Sequence, residues 1–258
     1  MKQESCLNCN AETTNHFCSN CGQKTDTHRI TLKHFLLHDM MHGIWHLEKG
    51  ILFTIKETFV RPGQAALDYI HGKRIRYYNV FYLAILIIGL GLLLGHLYES
   101  MHPIKEDTAN DTIEVTLFFK NNLKIILLSI VPILGIVAFL IFKRLQLNLA
   151  EHFIMSGISL LGMLIINVVL SLFDFLEGGF DFFGWSVTIQ ITIFISMLLF
   201  PVWTYYNATK NLYTFFGFLW RIVVFYVCVL SILSLIVTII VYTLTNGKTQ
   251  FYINMNFK

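Results

Sequence analysis

Five runs of apolar residues, each long enough to cross a bilayer as a helix, leave this chain few folds to choose from. They extend from about Val80 to Leu97, Leu123 to Phe142, Phe153 to Phe173, Val187 to Tyr206 and Leu219 to Leu244. Each comes close to the ~20 residues a helix needs to traverse a hydrocarbon layer about 30 Å thick. The balance of the chain agrees. It is 55% hydrophobic and 14% charged, whereas soluble domains carry about 25% charged residues. A net charge of only +3 argues against nucleic acid as a partner.

The charges between the runs set an expected orientation, because Lys and Arg collect on the cytoplasmic side. Lys73, Arg74 and Arg76 stand before the first run, Lys143 and Arg144 follow the second, and Lys210 and Arg221 flank the turn into the fifth. The loop after the first run holds Glu99, Glu106, Asp107, Asp111 and Glu114, diluted by Lys105, Lys120 and Lys124. The loop after the third holds Asp174, Glu177 and Asp181 without a base. Basic and acidic loops alternate, as five crossings require. The expected location is a bacterial inner (cytoplasmic) membrane, with the N-terminus cytosolic and the C-terminus extracytoplasmic. No cleavable signal peptide is visible, so the first span is expected to act as its own insertion signal.

Ahead of the runs stand two cysteine pairs, Cys6-Leu7-Asn8-Cys9 and Cys18-Ser19-Asn20-Cys21. Zn²⁺ favours four thiolates in a tetrahedron, and each Cys-x-x-Cys turn supplies two of them. Gly22 suits the tight turn of a knuckle. Cytosolic thiols stay reduced, so a disulfide is disfavoured, and the inferred topology and the inferred chemistry agree. A redox dithiol needs one such pair in a thioredoxin-like context, which is missing. The metal is expected to be structural Zn²⁺, stapling a module too small to hold itself together with a core. Cys228, inside an apolar run, reads as a buried, inert thiol.

Residues 26–78 differ in character. Phe35, Leu36, Met40, Ile44, Leu47, Ile51 and Ile55 recur at helical spacing, predicting one or two amphipathic helices along the inner leaflet, ended by Arg61-Pro62-Gly63. His34, His38, His42 and His46 fall every four residues and would stack along one helix face. Two readings stand for them: a second metal site or pH-sensing face, or histidines placed between an apolar stripe and lipid phosphates. Lys73, Arg74 and Arg76 with Tyr77 and Tyr78 are a topology signal, and also candidates for binding anionic lipid headgroups. Glu151, His152, Lys210 and Arg221 would gather at the same interface, as a salt-bridge cluster pairing Glu151 with Arg221 or Lys210, or as a polar headgroup pocket. Gly91 and Gly95 allow close helix approach, within the bundle or between subunits.

No catalytic signature is present: no His-Glu-x-x-His, no phosphate-binding loop, no Gly-x-Ser-x-Gly. The residues Cys6-x-x-Cys9, Phe17-Cys18-x-x-Cys21-Gly22-Gln23 and Arg29-Ile30-Thr31 carry a resemblance. So do Pro62-Gly63 through Tyr69-Ile70-x-Gly72-Lys73-Arg74, Tyr78-Asn79, Glu151-His152-Phe153, and Tyr205 through Tyr213. The chain resembles an uncharacterised bacterial family, common in Bacteroidetes, of polytopic membrane proteins with an N-terminal zinc ribbon. It departs at Val80, where that family often has proline after asparagine. The resemblance implies an architecture and no activity.

The expected fold class is therefore an all-α polytopic membrane protein of about five transmembrane helices with a small N-terminal zinc ribbon. The divisions are 1–25 cytosolic ribbon, 26–78 interfacial helices and basic juxtamembrane segment, 79–245 helical bundle and 246–258 extracytoplasmic tail. The expected role is non-catalytic, with residues 1–78 docking a protein partner or sensing a condition. The alternative is a small transporter or lipid-handling protein with a pocket near the inner interface. Membrane lipid is the expected partner, and homo-oligomers are compatible with the glycine stripe. Fusing a reporter active only in the cytosol to each end should give signal at the N-terminus alone; signal from both ends would overturn the five-crossing topology.

Overall fold

The computed structural model describes residues 5–25, 29–30, 50–101, 110–177 and 186–245. The histidines at 34, 38, 42 and 46 and the tail 246–258 lie outside the described residues. The described architecture is all-helical. Helix α1 is Ile51–Val60, α2 Pro62–Ile70, α3 Val80–Met101, α4 Asn110–Ile141, α5 Leu149–Glu177, α6 Ser186–Thr209 and α7 Phe215–Leu244. A single 3₁₀ turn, Lys143–Leu145, links α4 to α5.

Among the described residues, four helices carry windows long and apolar enough to cross a membrane: Val80–Tyr98, Leu117–Ile141, Leu149–Phe173 and Phe215–Leu244. The remaining expected run forms α6, a helix of 24 residues with Pro201 inside it. Helix α5 is the hub, with 61% of its window buried, against 17% for α7. Helices α3, α4 and α6 pack along α5, and α7 leans on α4. The second expected run began at Leu123, but α4 starts at Asn110 and its apolar window reaches back to Leu117. Lys120 and Lys124, expected in the loop, therefore stand on a helix inside that window.

An aromatic knot fixes α4, α6 and α7 where α4 ends. Phe142 stacks on Tyr205 at 4.6 Å between ring centroids, and Phe225 closes on both. All three rings have no exposed surface. Tyr205 keeps its hydroxyl 3.4 Å from Ser156 Oγ, so that buried polar group is not stranded.

Arg61-Pro62-Gly63 does more than end a helix. The chain turns at Arg61 (φ −151°) and restarts at once as α2. Proline at the first helical position sacrifices an N–H that would be unpaired anyway, and its fixed φ suits the helix. Gly63 then lets α2 press against α6. A Cβ at that position would lie 2.3 Å from the Thr204 carbonyl oxygen and 2.4 Å from the Ala208 amide nitrogen. Helix α1 turns a polar side inward. Thr54, Glu57 and Thr58 are buried, while Leu52 and Val60 are exposed. Its start at Gly50 (φ 110°) places the Thr54 hydroxyl to accept from the Tyr78 amide at 2.8 Å.

Overpacking a tight contact costs typically 1–3 kcal/mol, and here the neighbour is backbone that has nowhere to retreat. Gly63→Val should lower the thermal unfolding midpoint of the detergent-solubilised protein by several degrees. Gly95→Ala, whose Cβ would meet nothing within 4 Å, should leave it within a degree or so.

Candidate metal centre and its anchorage

Each cysteine pair builds the same small turn. The Cys6 amide donates to the Ala11 carbonyl at 2.8 Å and the Asn10 amide returns to the Cys6 carbonyl at 2.8 Å. The second pair repeats this with Cys18, Gln23 and Gly22 at the same distances. The residue after each second cysteine takes a left-handed backbone, Asn10 at φ 59° and Gly22 at φ 75°. Glycine does this freely and asparagine tolerates it. Glycine at 22 marked the second turn in the sequence, and Asn10 is its unmarked counterpart.

The four sulfurs all lie within 4.8 Å of one another. Cys6 and Cys21 approach to 3.6 Å, as do Cys9 and Cys18. Tetrahedral Zn²⁺ with Zn–S bonds of about 2.3 Å puts sulfurs about 3.8 Å apart, so the donor set and its spacing fit that ion. A covalent S–S bond of about 2.05 Å is far shorter, and all four thiols are free. Burial pushes the Cys6 thiol up to about 11. The Asn8 side chain, hydrogen-bonding its sulfur, draws Cys21 down to about 6.

The turns are bolted to the bundle through the segment preceding α3. Gln23 is buried. Its Nε2 donates to the Gly72 carbonyl at 2.6 Å, and its Oε1 accepts from the Ile75 amide at 3.5 Å. Arg76 grips the first turn, with Nε to Asn8 Oδ1 at 2.8 Å and Nη2 to the Asn8 carbonyl at 3.1 Å. Gly72 (φ 101°) leaves room for Leu7, whose Cδ1 would lie 2.5 Å from a Cβ there. Asn8 thus touches both a sulfur of the cysteine cluster and Arg76, four positions before the first residue of α3.

A second anchor holds the end of α5. Arg29 forks onto Glu151, Nε to Oε1 at 2.7 Å and Nη2 to Oε2 at 2.8 Å, and Nη2 also reaches the Gln146 carbonyl at 3.0 Å. Bidentate, charge-assisted pairs of this kind are among the stronger hydrogen bonds. Glu151 further accepts from the Asn148 amide at 2.7 Å, while Asn148 Oδ1 accepts from the Glu151 amide at 3.0 Å. This is a capping box, with asparagine as its first member. The partner of Glu151 is Arg29, not Arg221 or Lys210.

The other expected polar residues are distributed. Lys73 pairs with Asp68 at 2.7 Å, and Asp68 also meets Arg61 at 3.2 Å. Burial raises the Asp68 carboxyl, but the Lys73 hydrogen bond and the charges of Lys73 and Arg61 outweigh it and hold the group below its ordinary 3.8. Its stabilising contribution is complete above that value and fades as pH falls below it. Arg74 stacks on Tyr69 at 5.9 Å. Arg221 stacks on Tyr213 at 4.3 Å and Trp220 at 4.5 Å, and Arg144 covers the same Tyr213. Lys210 is exposed in the turn after α6. His152 is buried, its Nδ1 without a hydrogen-bond partner, between Phe139 and Tyr205. Of the expected pocket, Arg74 and Glu151 come together. With Arg29, His71, Leu7 and Leu147 they line a cavity of about 390 Å³ between the cysteine turns, α2 and the start of α5.

Residues 48–88 match the family described as "Protein of unknown function (DUF3667)". That stretch contains α1, α2, the 72–78 segment that receives the cysteine turns, and the first part of α3. Together with the apolar helices, the match fits an uncharacterised membrane-type family. No curated protein and no solved structure matches the chain.

Cys9→Ser or Cys18→Ser should remove one equivalent of bound zinc from the purified protein. Asn8→Ala keeps all four thiols but loses the support of Cys21, and losses of this kind cost about 10–100-fold in metal affinity. Competition with a chromophoric chelator measures it.

Proposed function

We propose that this is an integral protein of a bacterial inner membrane in which a Zn²⁺-loaded ribbon latches the cytosolic end of the bundle and makes its arrangement depend on metal or on a docked partner. In this reading α6 is the fifth crossing, the ribbon end is cytosolic and the C-terminus is extracytoplasmic. Arg144 and Arg221 both reach the turn between α6 and α7, where Lys210 also lies, on the same end as the ribbon, which supports that orientation. The role is non-catalytic. The ribbon's four thiolates fill a tetrahedral shell and leave no open position for substrate.

The observation that carries the proposal is Asn8. It supports the Cys21 sulfur and is held by Arg76 within the short segment leading into α3. Metal that orders the turns orders Asn8, and Asn8 in place fixes Arg76. Binding that favours one arrangement shifts the whole equilibrium by its differential affinity. Residues 1–78 would then be the surface through which a partner or a change in metal supply is read.

A second reading, a small transporter or lipid-handling protein, draws on the cavity of about 390 Å³ at the same end. Arg29 and Arg74 on its wall suit an anionic headgroup, although Glu151 already neutralises Arg29.

Hydrogen exchange separates the two. Stripping zinc with a chelator should raise amide exchange across residues 72–78 at least tenfold in the wild type. Arg76→Ala should start high and change little. Exchange in 72–78 that ignores zinc would refute the latch and leave the cavity reading in possession of this end.

A further inference from the structure

Helix α1 is polar within and apolar without. Thr54, Glu57 and Thr58 are buried, while Leu52 and Val60 are more than half exposed and Phe59 is partly so. The inward groups have partners. Thr58 Oγ1 donates to the Thr54 carbonyl at 2.8 Å, and Glu57 pairs with Arg61, which also meets Asp68 at 3.2 Å. A surface helix in water turns the other way. An outer side of this kind marks a contact with another apolar body, and depth decides which.

The scale is α5, whose apolar window runs Leu149–Phe173. The start of α3 is level with Gly157, where a Cβ would meet Val80 Cγ1 at 3.5 Å. The end of α4 is at nearly the same level, since Phe142 stacks on Tyr205 and Tyr205 reaches Ser156. The apolar windows of α3 and α4 therefore stop close to one plane. Trp203 and Tyr206, stacked and partly exposed beside Tyr205 on α6, stand at that plane, where a bilayer places such rings.

Phe200 is deeper. A Cβ at Gly162 would lie 2.0 Å from its ring, and Gly162 is about 8 Å further along α5 than Gly157. Phe59 packs edge-on against the Phe200 ring, 5.6 Å between centroids. At the other end of α1, Gly50 lies against the Arg76 carbonyl and the Tyr78 amide, ahead of Val80. The sequence pattern predicts a helix lying along a leaflet, but α1 slopes through the plane, from Gly50 outside it to Phe59 beneath it. Helix α2 then climbs back to Ile70, which packs with Ala150 and Ile154.

We propose that α1 and α2 form a hairpin set into the leaflet on the ribbon side, with the outer side of α1 in contact with lipid. Leu52 stands at headgroup level and Val60 among the acyl chains. Lys56, exposed between them, reaches back toward the headgroups. A protein partner would have to descend below the aromatic plane to cover Val60, whereas the lipid around α3 and α5 is already at that depth. The hairpin is independent of the zinc latch. It assigns α1 to the bilayer and leaves the cysteine turns as the part that faces water.

The test uses the full-length protein in liposomes, with photoreactive benzoylphenylalanine in place of Leu52, Lys56 or Val60, one at a time. The same residue in place of Leu235, exposed within the α7 window, is the lipid reference, and in place of Lys24, exposed beside the second cysteine turn, the water reference. An unfolding midpoint equal to the parent's shows that a variant is folded. Mass spectrometry reads what each position captures on illumination. Position 60 should give acyl-chain adducts at about half the yield of position 235 or more, and about threefold or more above position 52, whose adducts should fall on headgroup and glycerol. A yield at position 60 as low as at position 24 would overturn the proposal by placing this side in water. Adducts to residues 31–49 of the same chain, or to a second copy, would overturn it by naming a protein cover. Equal acyl-chain capture at 52 and 60 would overturn the slope on which it rests.

Discussion

Burying the Glu151 carboxylate at the start of α5 costs several kcal/mol unless charge and hydrogen bonds are supplied, and the supply comes from far along the chain. Arg29 provides the charge and Asn148 the amide. Asn148 in turn donates to the Ile30 carbonyl at 2.9 Å, and Ile30 is packed with Ile70, Ala150 and Ile154. One carboxylate thereby joins the segment after the cysteine turns, the end of α2 and the head of the most buried helix. The aromatic knot and the α2–α6 contact are built outward from that hub. Removing Arg29 would leave the charge in place without its match, which is the costlier way to break such a pair.

The cysteine turns illustrate how a small module without a core acquires a fixed position. Within each turn only short-range hydrogen bonds and the clustered thiols are at work. Orientation relative to the bundle comes from Gln23, Arg76 and the seat of Leu7 over Gly72. These residues come from the ribbon and from the segment before α3, and neither half of the contact is meaningful without the other.

What could be read directly from the residues follows from this. Cysteine spacing and apolar runs are local patterns, so the tetrathiolate cluster and the helices at 80–98, 149–173 and 215–244 were legible. Arg29 and Glu151 are separated by more than a hundred positions, and nothing in either neighbourhood names the other. Pro62 was legible as a stop but not as a start, since the same fixed φ serves both uses. Lys120 and Lys124 shorten the expected second span, because charge in an apolar stretch reads as loop until the helix is seen to run through it. Gly91 and Gly95 carry a spacing associated with close packing; Gly91 does lie against Val168 of α5, while Gly95 faces open space. Asn10 gave no signal, being one of several asparagines able to take a left-handed backbone.

Helix α1 shows its greasy side to the outside and its threonines and Glu57 to the inside, the reverse of a water-soluble helix. Cutting the chain after residue 78 would remove α5 and α6, on which α1 and α2 pack, and leave Leu52 and Val60 facing buffer. Such a fragment would clump or cling to chaperones, and what it captured from a cell extract would report stickiness as readily as recognition. The part of this molecule ahead of α3 is, in effect, the lid of a jar and keeps its shape only when screwed on.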